Sequence, residues 1–216
     1  MKHPITLVLL GDIASGKGTQ SKILLRSFRL KYVETGAYTR KLWTGTSKVS
    51  RQLERSKWGK LAPSDIIQKY LKSSLEKLKK NEGVLVDGGK MPAEARLIHK
   101  ILRAKERKIL VIYLSIPHAE IYRRLTRRYY CERSGKIITL ARPQDKCPHC
   151  GGPLIKRADD EPTAVRNRIR YYDEVYSKTV KFWQSKRLLR KINGGLSVAA
   201  VTKAILTTIK EYYKVK

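Results

Sequence analysis

Apolar residues along this chain follow two alternating patterns. Some short blocks are apolar at nearly every position: Ile5 to Leu10, Gly83-Val84-Leu85-Val86-Asp87-Gly88-Gly89, and Lys108-Ile109-Leu110-Val111-Ile112-Tyr113-Leu114-Ser115-Ile116. A strand buried on both faces needs such a run, so these blocks predict central parallel strands. Lys31-Tyr32-Val33-Glu34-Thr35-Gly36 predicts a shorter strand ending in a turn, and Leu188 to Ile192 another. Between the blocks, apolar residues return every third or fourth position. Helices are expected from Thr19 to Arg29, through Ile66, Ile67, Tyr70, Leu71, Leu75 and Leu78 with Ser64 or Asp65 as cap, and from Ala93 to Ala104. Further helices are expected from Pro117 to about Tyr130, from Thr163 through Val165, Ile169, Tyr172 and Val175, and from Ser197 after the Asn193-Gly194-Gly195 turn. This alternation predicts an α/β chain with a five-stranded parallel sheet and helices on both faces.

Two stretches break the rhythm. Around Trp43, Leu53, Trp58 and Leu61 the pattern supports only a small helical insertion, broken at Gly59-Lys60-Leu61-Ala62-Pro63. From Cys131 to Arg157 periodicity fails and turn residues and cysteines take over, as in a small lid with its own staple.

The end of the first strand carries the chemistry. Gly11-Asp12-Ile13-Ala14-Ser15-Gly16-Lys17-Gly18-Thr19-Gln20 places glycine, four residues, Gly-Lys and a hydroxyl between a buried strand and a helix. Glycines let backbone N–H groups turn inward around an anion, the helix begins with its positive dipole end there, and lysine adds a mobile charge. A phosphate-binding loop is the expectation. Asp87, at the carboxyl end of a parallel strand where such sheets bind ligands, is a candidate to hold Mg²⁺ through water; a turn or capping aspartate is the plainer reading. Arg123, Arg124, Arg127 and Arg128 precede the lid, and Arg157, Arg166, Arg168 and Arg170 follow it. Eight arginines bracketing one insertion suit a flap closing over phosphates, although arginine at helical spacing also serves as a solvated face.

The 216 residues suffice for one domain with inserted subdomains, and no apolar run approaches the roughly 20 residues of a membrane span. The amino terminus leads into a strand without the layout of a signal peptide, so a cytoplasmic location is expected. The three cysteines fit metal ligation in a reducing compartment better than a disulfide framework. The 48 Lys and Arg against 18 Asp and Glu give +30, more than one nucleotide pocket requires. Two readings stand: nonspecific nucleic-acid contact, or a solvated basic surface, which the spread of the lysines over many segments favours.

With these residues assembled, the chain resembles the adenylate kinases, nucleoside monophosphate kinases of the long-lid type, over nearly its whole length. Gly11 to Gln20 is similar to the family's G-x-P-G-x-G-K-G-T-Q, with Ile13 and Ala14 in place of proline and glycine. Thr35-Gly36-Ala37-Tyr38-Thr39-Arg40 resembles T-G-D-x-x-R, Arg157-Ala158-Asp159-Asp160 resembles R-x-D-D, and Arg166-Asn167-Arg168 with Tyr171-Tyr172 resembles R-x-R-[LI]-x-x-Y. The resemblance implies a P-loop nucleoside monophosphate kinase fold: a core of residues 1–35, 65–130 and 159–216, a monophosphate-binding insertion of 36–64 and a lid of 131–158. It implies MgATP bound by Gly11, Ala14, Ser15, Gly16, Lys17, Gly18, Thr19, Arg124, Arg128, Ile137, Ile138 and Leu196. The acceptor would meet Thr35, Gly36, Arg40, Lys60, Leu61, Ala62, Gly88, Lys90, Glu94, Arg157 and Arg168, while Lys17, Asp87, Arg128, Arg157 and Arg168 would act on the transferring group. A monomer and reversible transfer from ATP to AMP are expected.

Departures from the pattern keep alternatives open. The family's D-G-x-P-R arginine is absent from Asp87-Gly88-Gly89-Lys90-Met91-Pro92, and Lys90 offers a point charge in place of a bidentate fork. Glu94 falls near the glutamine that reads adenine in the family. CMP, UMP or a deoxynucleotide is therefore an alternative acceptor, and a weakly catalytic ATP- or RNA-binding protein is the alternative class. The family's zinc lids show C-x-x-C-G and C-x-x-C-G-G; here Cys131-Glu132-Arg133-Ser134-Gly135 precedes Cys147-Pro148-His149-Cys150-Gly151-Gly152. Zinc on Cys131, Cys147 and Cys150 would take a fourth ligand from Ser134, His149 or water; a metal-free polar clip is the alternative.

Overall fold

The computed structural model describes residues 4–42, 47–57, 62–140, 142–156 and 160–214, with backbone only for 54–57 and 171. The chain runs β1 (Thr6–Gly11), α1 (Lys17–Ser27), β2 (Leu30–Glu34), α2 (Thr35–Leu42), α3 (Lys48–Lys57), α4 (Ser64–Glu76), β3 (Gly83–Asp87), α5 (Pro92–Ala104), β4 (Ile109–Ser115) and α6 (His118–Thr126). The lid strands β5 (Arg128–Cys131), β6 (Ile137–Thr139) and β7 (Leu154–Ile155) follow. Next come α7 (Pro162–Tyr171), a π-helical turn (Tyr172–Tyr176), α8 (Ser177–Ser185), β8 (Leu189–Asn193) and α9 (Val198–Tyr213).

The main sheet has the order β2-β3-β1-β4-β8, and every pairing is parallel. Alternate side chains go to opposite faces. Val8, Leu10, Val84, Val86 and Val111 pack with Leu71, Ile98 and Trp183 from α4, α5 and α8. Leu7, Leu9, Leu85, Leu110 and Ile112 pack with Leu24, Ile205 and Ile209 from α1 and α9. Both faces are dry, which is why the strand sequences lack polar alternation. A third cluster, Ile13, Ile116, Ile121, Leu125, Val165 and Ile169, fastens the loop after β1 to α6 and α7. The two helices that carry the lid's arginines thus share a core with the phosphate loop.

Four local expectations change. Thr35 and Gly36 begin α2 directly instead of forming a turn. Ser64 and Asp65 lie inside α4 after Pro63 and make no side-chain cap, although Asp65 still suits the helix dipole. α6 stops at Thr126, well short of Tyr130. Lys156 donates to the Thr126 carbonyl at 2.6 Å, and Tyr129 and Tyr130 pair with Ile138 and Ile137 in the lid's antiparallel sheet. Finally, the π turn moves the buried position expected at Val175 to Tyr176. The sequence-derived positions Trp43, Trp58, Lys60, Leu61, Arg157, Ala158 and Asp159 lie outside the described residues.

The end of the sheet away from the phosphate loop is stitched by cations acting on backbone carbonyls. Arg107 is buried and donates to the carbonyls of Glu82 and Lys79, both at 2.5 Å. Lys105 donates to Glu76 and Leu78 carbonyls at 2.8 and 3.2 Å. Removing a partner from a buried carbonyl costs about 1–3 kcal/mol. Arg107→Ala should therefore lower the melting temperature by several degrees in calorimetry, with the circular dichroism spectrum unchanged at temperatures where the variant is folded.

Candidate active site

The loop after β1 is built around Gly11. Its N–H donates to the Tyr176 hydroxyl at 2.7 Å, and its carbonyl accepts from the Tyr172 hydroxyl and from Lys17 Nζ, the latter at 2.6 Å. The π turn makes this possible by aiming two tyrosines at one peptide. A Cβ on Gly11 would stand 2.7 Å from Ser15 Oγ and 2.8 Å from the Leu114 carbonyl, so only glycine fits. Asp12 is buried as well: its carboxylate accepts from the Tyr113 hydroxyl at 2.6 Å and from the Ile116 N–H at 2.7 Å, pinning the loop to β4. Gly16 has φ 92 and Ala14 has φ 58. Both lie in the left-handed region; Ala14 bears a strain that the family's glycine would not.

α1 begins at Lys17, so its free N–H groups face the same space as Gly16, Gly18 and Thr19. That space is a cleft of about 1650 Å³ between loop, insertion, lid and α7. Lys17 Nζ also donates to the Asp12 carbonyl at 2.9 Å. Burial pulls its pKa down from 10.5 to about 8; Asp87 opposes the fall, and Lys90 and Arg168 deepen it. Burial pushes the Asp87 carboxyl up against the pull of Lys17, and Asp87 Oδ2 accepts from the hydroxyls of Ser21 at 3.1 Å and Tyr32 at 3.2 Å. Lys90 is lowered by burial and then by Arg168. Cations that depress one another in one cleft mark a place for an anion. Among the described lining residues, the only carboxylates are Glu34, Asp87 and Glu94.

On the insertion side, Thr35, Gly36, Arg40, Ala62, Lys90 and Glu94 line the cleft. Arg40 is paired with Glu34 at 2.8 Å. Gly88 lies beneath the cleft lining: a Cβ there would meet the Thr35 side chain at 2.4 Å, so this glycine lets β3 close onto α2. Glu94 accepts from the Met91 N–H at 3.2 Å and closes the amino end of α5. Burial raises its pKa against that hydrogen bond.

On the lid side, Arg128 makes a two-pronged pair with Asp160, with Nε to Oδ2 at 2.7 Å, and Arg168 NH1 stands 3.5 Å from the same carboxylate. The Asp160 side chain is only 1% exposed, a fixed anion between two guanidinium groups. Arg124 donates to the Ala14 carbonyl at 3.1 Å and to Glu120 at 2.6 Å. Ile137 and Leu196, 50% and 49% exposed, offer bare apolar walls to the cleft, and Ile138 lines it with them. Arg157, Lys60 and Leu61 are outside the described residues.

In the lid, the sulfurs of Cys131, Cys147 and Cys150 lie within 4.8 Å of one another, with Cys131 to Cys150 at 3.4 Å. Tetrahedral zinc with Zn–S near 2.3 Å needs sulfurs roughly 3.8 Å apart, so the set fits. Hydrogen bonds from the Ser134 hydroxyl, and then from its N–H, lower the pKa of the Cys131 thiol. His149 instead lines the nucleotide cleft.

Sequence reasoning missed Asp12, Tyr113 and Tyr176. Each acts through a contact between distant segments, so spacing carries no signal of it. Asp12 alone left a trace, as a charge inside a loop meant for anions.

The sequence matches the family model described as adenylate kinase over residues 9–188. The adenylate kinase of Thermosipho africanus is 32% identical over 213 residues, covering 95% of this chain and 100% of that protein. Those of Archaeoglobus fulgidus and Methanothrix thermoacetophila are 30% and 29% identical, each covered completely by 95% and 96% of this chain.

Above about pH 8 the free protein's Lys17 loses its charge, so kcat/KM for MgATP should fall as pH rises from 8 to 10. Lys17→Arg, whose guanidinium does not titrate there, should lose that limb of the profile while retaining measurable turnover.

Proposed function

This chain belongs to the adenylate kinase family, and we propose that it transfers the terminal phosphoryl group of ATP reversibly to AMP, giving two ADP. One observation carries this: the Lys17 loop and the Arg128 and Arg168 side chains line one cleft together with Thr35, Arg40 and Lys90 and the apolar Ile137 and Leu196. Phosphoryl transfer asks for positioning and cations around the migrating group, and this cleft offers both. The acceptor's phosphate oxygen attacks the γ-phosphorus as the bond to the β,γ-bridging oxygen breaks. Lys17 and the α1 N–H groups hold the donor's phosphates, and Arg128, Arg168 and Arg157 take the charge on the group in flight. Arg40 and Lys90, with Thr35 and Gly36, hold the acceptor's phosphate, while Ala62 and Glu94 face its base, a role the family resemblance also assigns to Lys60 and Leu61. Asp87, beside Lys17, suits a magnesium ion carried through water; that ion, when bound, neutralises β- and γ-phosphate charge.

Residues 36–64 and 131–158 are the moving pieces of this scheme, closing on a core of 1–35, 65–130 and 159–216 and excluding water from the transfer. In the lid, Cys131, Cys147 and Cys150 with Ser134 as fourth ligand would hold zinc, which stiffens a unit whose core among the described residues is the small cluster of Ile138, Leu140, Leu154, the cysteines and Tyr129. No described helix is long and apolar enough to cross a membrane. The three free thiols support a reducing, cytoplasmic setting, and one cleft for both substrates supports a monomer. Lys90, a point charge where the family has an arginine fork, favours one second reading: a CMP, UMP or deoxynucleotide acceptor.

A coupled assay of ADP formation across nucleoside monophosphates should give the highest kcat/KM with AMP; a higher value with CMP, UMP or a deoxynucleotide would establish the second reading. Lys17→Ala, Arg128→Ala and Arg168→Ala should each lower kcat by roughly 100-fold or more with circular dichroism unchanged; near-normal rates in all three would overturn the assigned roles. Metal analysis should find about one zinc per chain. Cys131→Ser should lose it and melt earlier; a metal-free chain with the same melting temperature as Cys131→Ser would leave the polar clip.

A further inference from the structure

Every strand of the main sheet is parallel, so every helix-to-strand connection falls at the end opposite the cleft, about 20 Å from the phosphate loop for strands of this length. That end is crowded with cations that the transfer reaction does not use. Lys77, Lys79 and Lys80 lie between α4 and β3, Arg103 in the last turn of α5 with Lys105, Arg107 and Lys108 between α5 and β4, and Lys186 and Arg187 between α8 and β8. Lys210 and Lys214 close α9 beside them.

These segments are neighbours in space. Lys105 holds the carbonyls of Glu76 and Leu78, and Arg107 those of Lys79 and Glu82, so the first two loops are one surface. His99 of α5 packs edge-on against Phe182 and Trp183 of α8, with centroids 5.8 and 5.9 Å away, and Lys186 Nζ lies 5.8 Å from the Phe182 centroid, which joins the third loop to α5. Lys108 donates to the Tyr212 carbonyl and lies 4.7 Å from that ring's centroid, which brings in the end of α9. The cations divide into two sets. Lys105, Arg107 and Lys108 are turned inward and make the surface rigid. Lys77, Lys79, Lys80, Lys186 and Arg187 are exposed, and the salt bridges of the described residues include none of them.

Helix carboxyl ends carry about half a negative charge each, which accounts for a basic residue in a last turn and for no more than that. Glu76, Glu82, Glu106 and Glu211 are the acids of this end, and Glu82 is drawn back onto the Lys79 N–H at 3.3 Å. The excess is positive, carried on loops that Lys105, Arg107 and Lys108 tie together, and remote from the cleft. We propose that this face, formed by Lys77, Lys79, Lys80, Lys186 and Arg187, is a contact surface for the phosphodiester backbone of a nucleic acid. Backbone contact needs charge in a fixed array and no base-reading element, and the face supplies that.

The test uses the full-length protein and a fluorescein-labelled 30-base-pair duplex, as RNA and as DNA, read by anisotropy across a salt series with a saturating bisubstrate dinucleotide occupying the cleft. Wild type should bind despite the dinucleotide, with log affinity falling steeply with log salt. The variant Lys77→Gln, Lys79→Gln, Lys80→Gln, Lys186→Gln, Arg187→Gln should bind at least ~10-fold more weakly near 0.1 M salt, with a slope reduced by up to ~4 and unchanged kinase kcat/KM. A control with the same change in net charge, Lys69→Gln, Lys72→Gln, Lys146→Gln, Lys178→Gln, Lys181→Gln, should keep most of the affinity. Tighter binding of one duplex names the source, and equal binding supports a contact to backbone alone. Equal losses in the two variants would show an unlocalised field of net charge, and displacement by the dinucleotide would show that the cleft holds the duplex. Either result overturns the proposal and leaves the kinase reading intact.

Discussion

One peptide governs the geometry of the active cleft: Gly11, where the central strand ends and the phosphate loop begins. Its amide and carbonyl are held by Tyr176, Tyr172 and Lys17, and the next residue is bolted to β4 through both carboxylate oxygens. A loop that must wrap an anion with its own N–H groups cannot also use them to fix its position. The fixing is confined to the loop's first residues, where the tyrosine hydroxyls of the π-helical turn hold Gly11 and the Asp12 N–H donates to the Leu114 carbonyl at 2.9 Å. That turn interrupts an otherwise continuous helix, as a functional π-bulge does.

The same packing links the loop to what lies across the cleft. Ile13 shares a core with Ile121 and Leu125 of α6 and with Val165 and Ile169 of α7. These helices carry Arg124 and Arg168, and α6 leads into the strand that carries Arg128. Cation placement is thus a property of a small apolar cluster as much as of the arginines. The electrostatics agree, since burial lowers the pKa values of Lys17 and Lys90 and the neighbouring cations, Arg168 among them, deepen the fall.

Much of the fold was legible because parallel, doubly covered strands leave an unambiguous mark: β1, β3 and β4 are apolar at successive positions, and nothing else in the chain resembles them. The phosphate loop was equally readable, since its glycines, lysine and flanking elements are local in sequence. What escaped was set by contacts between distant segments. Nothing near Thr126 announces the end of α6, because the cause is Lys156 on the carbonyl and a strand pairing from the far side of the lid. Asp160 could be found as part of a motif, whereas its place between Arg128 and Arg168 could not.

In the proposed transfer, that placement bears on turnover. The Asp160 carboxylate is tethered to the chain, so it competes for the guanidiniums at a high effective concentration that no dilution removes. A phosphate arriving there must displace a resident rival and so binds less tightly than it would to bare arginines. The same rival is on hand when product leaves and re-satisfies both cations at once. In that scheme the exchange of one anion for another would keep release from becoming a desolvation barrier, trading some ground-state grip for a faster cycle.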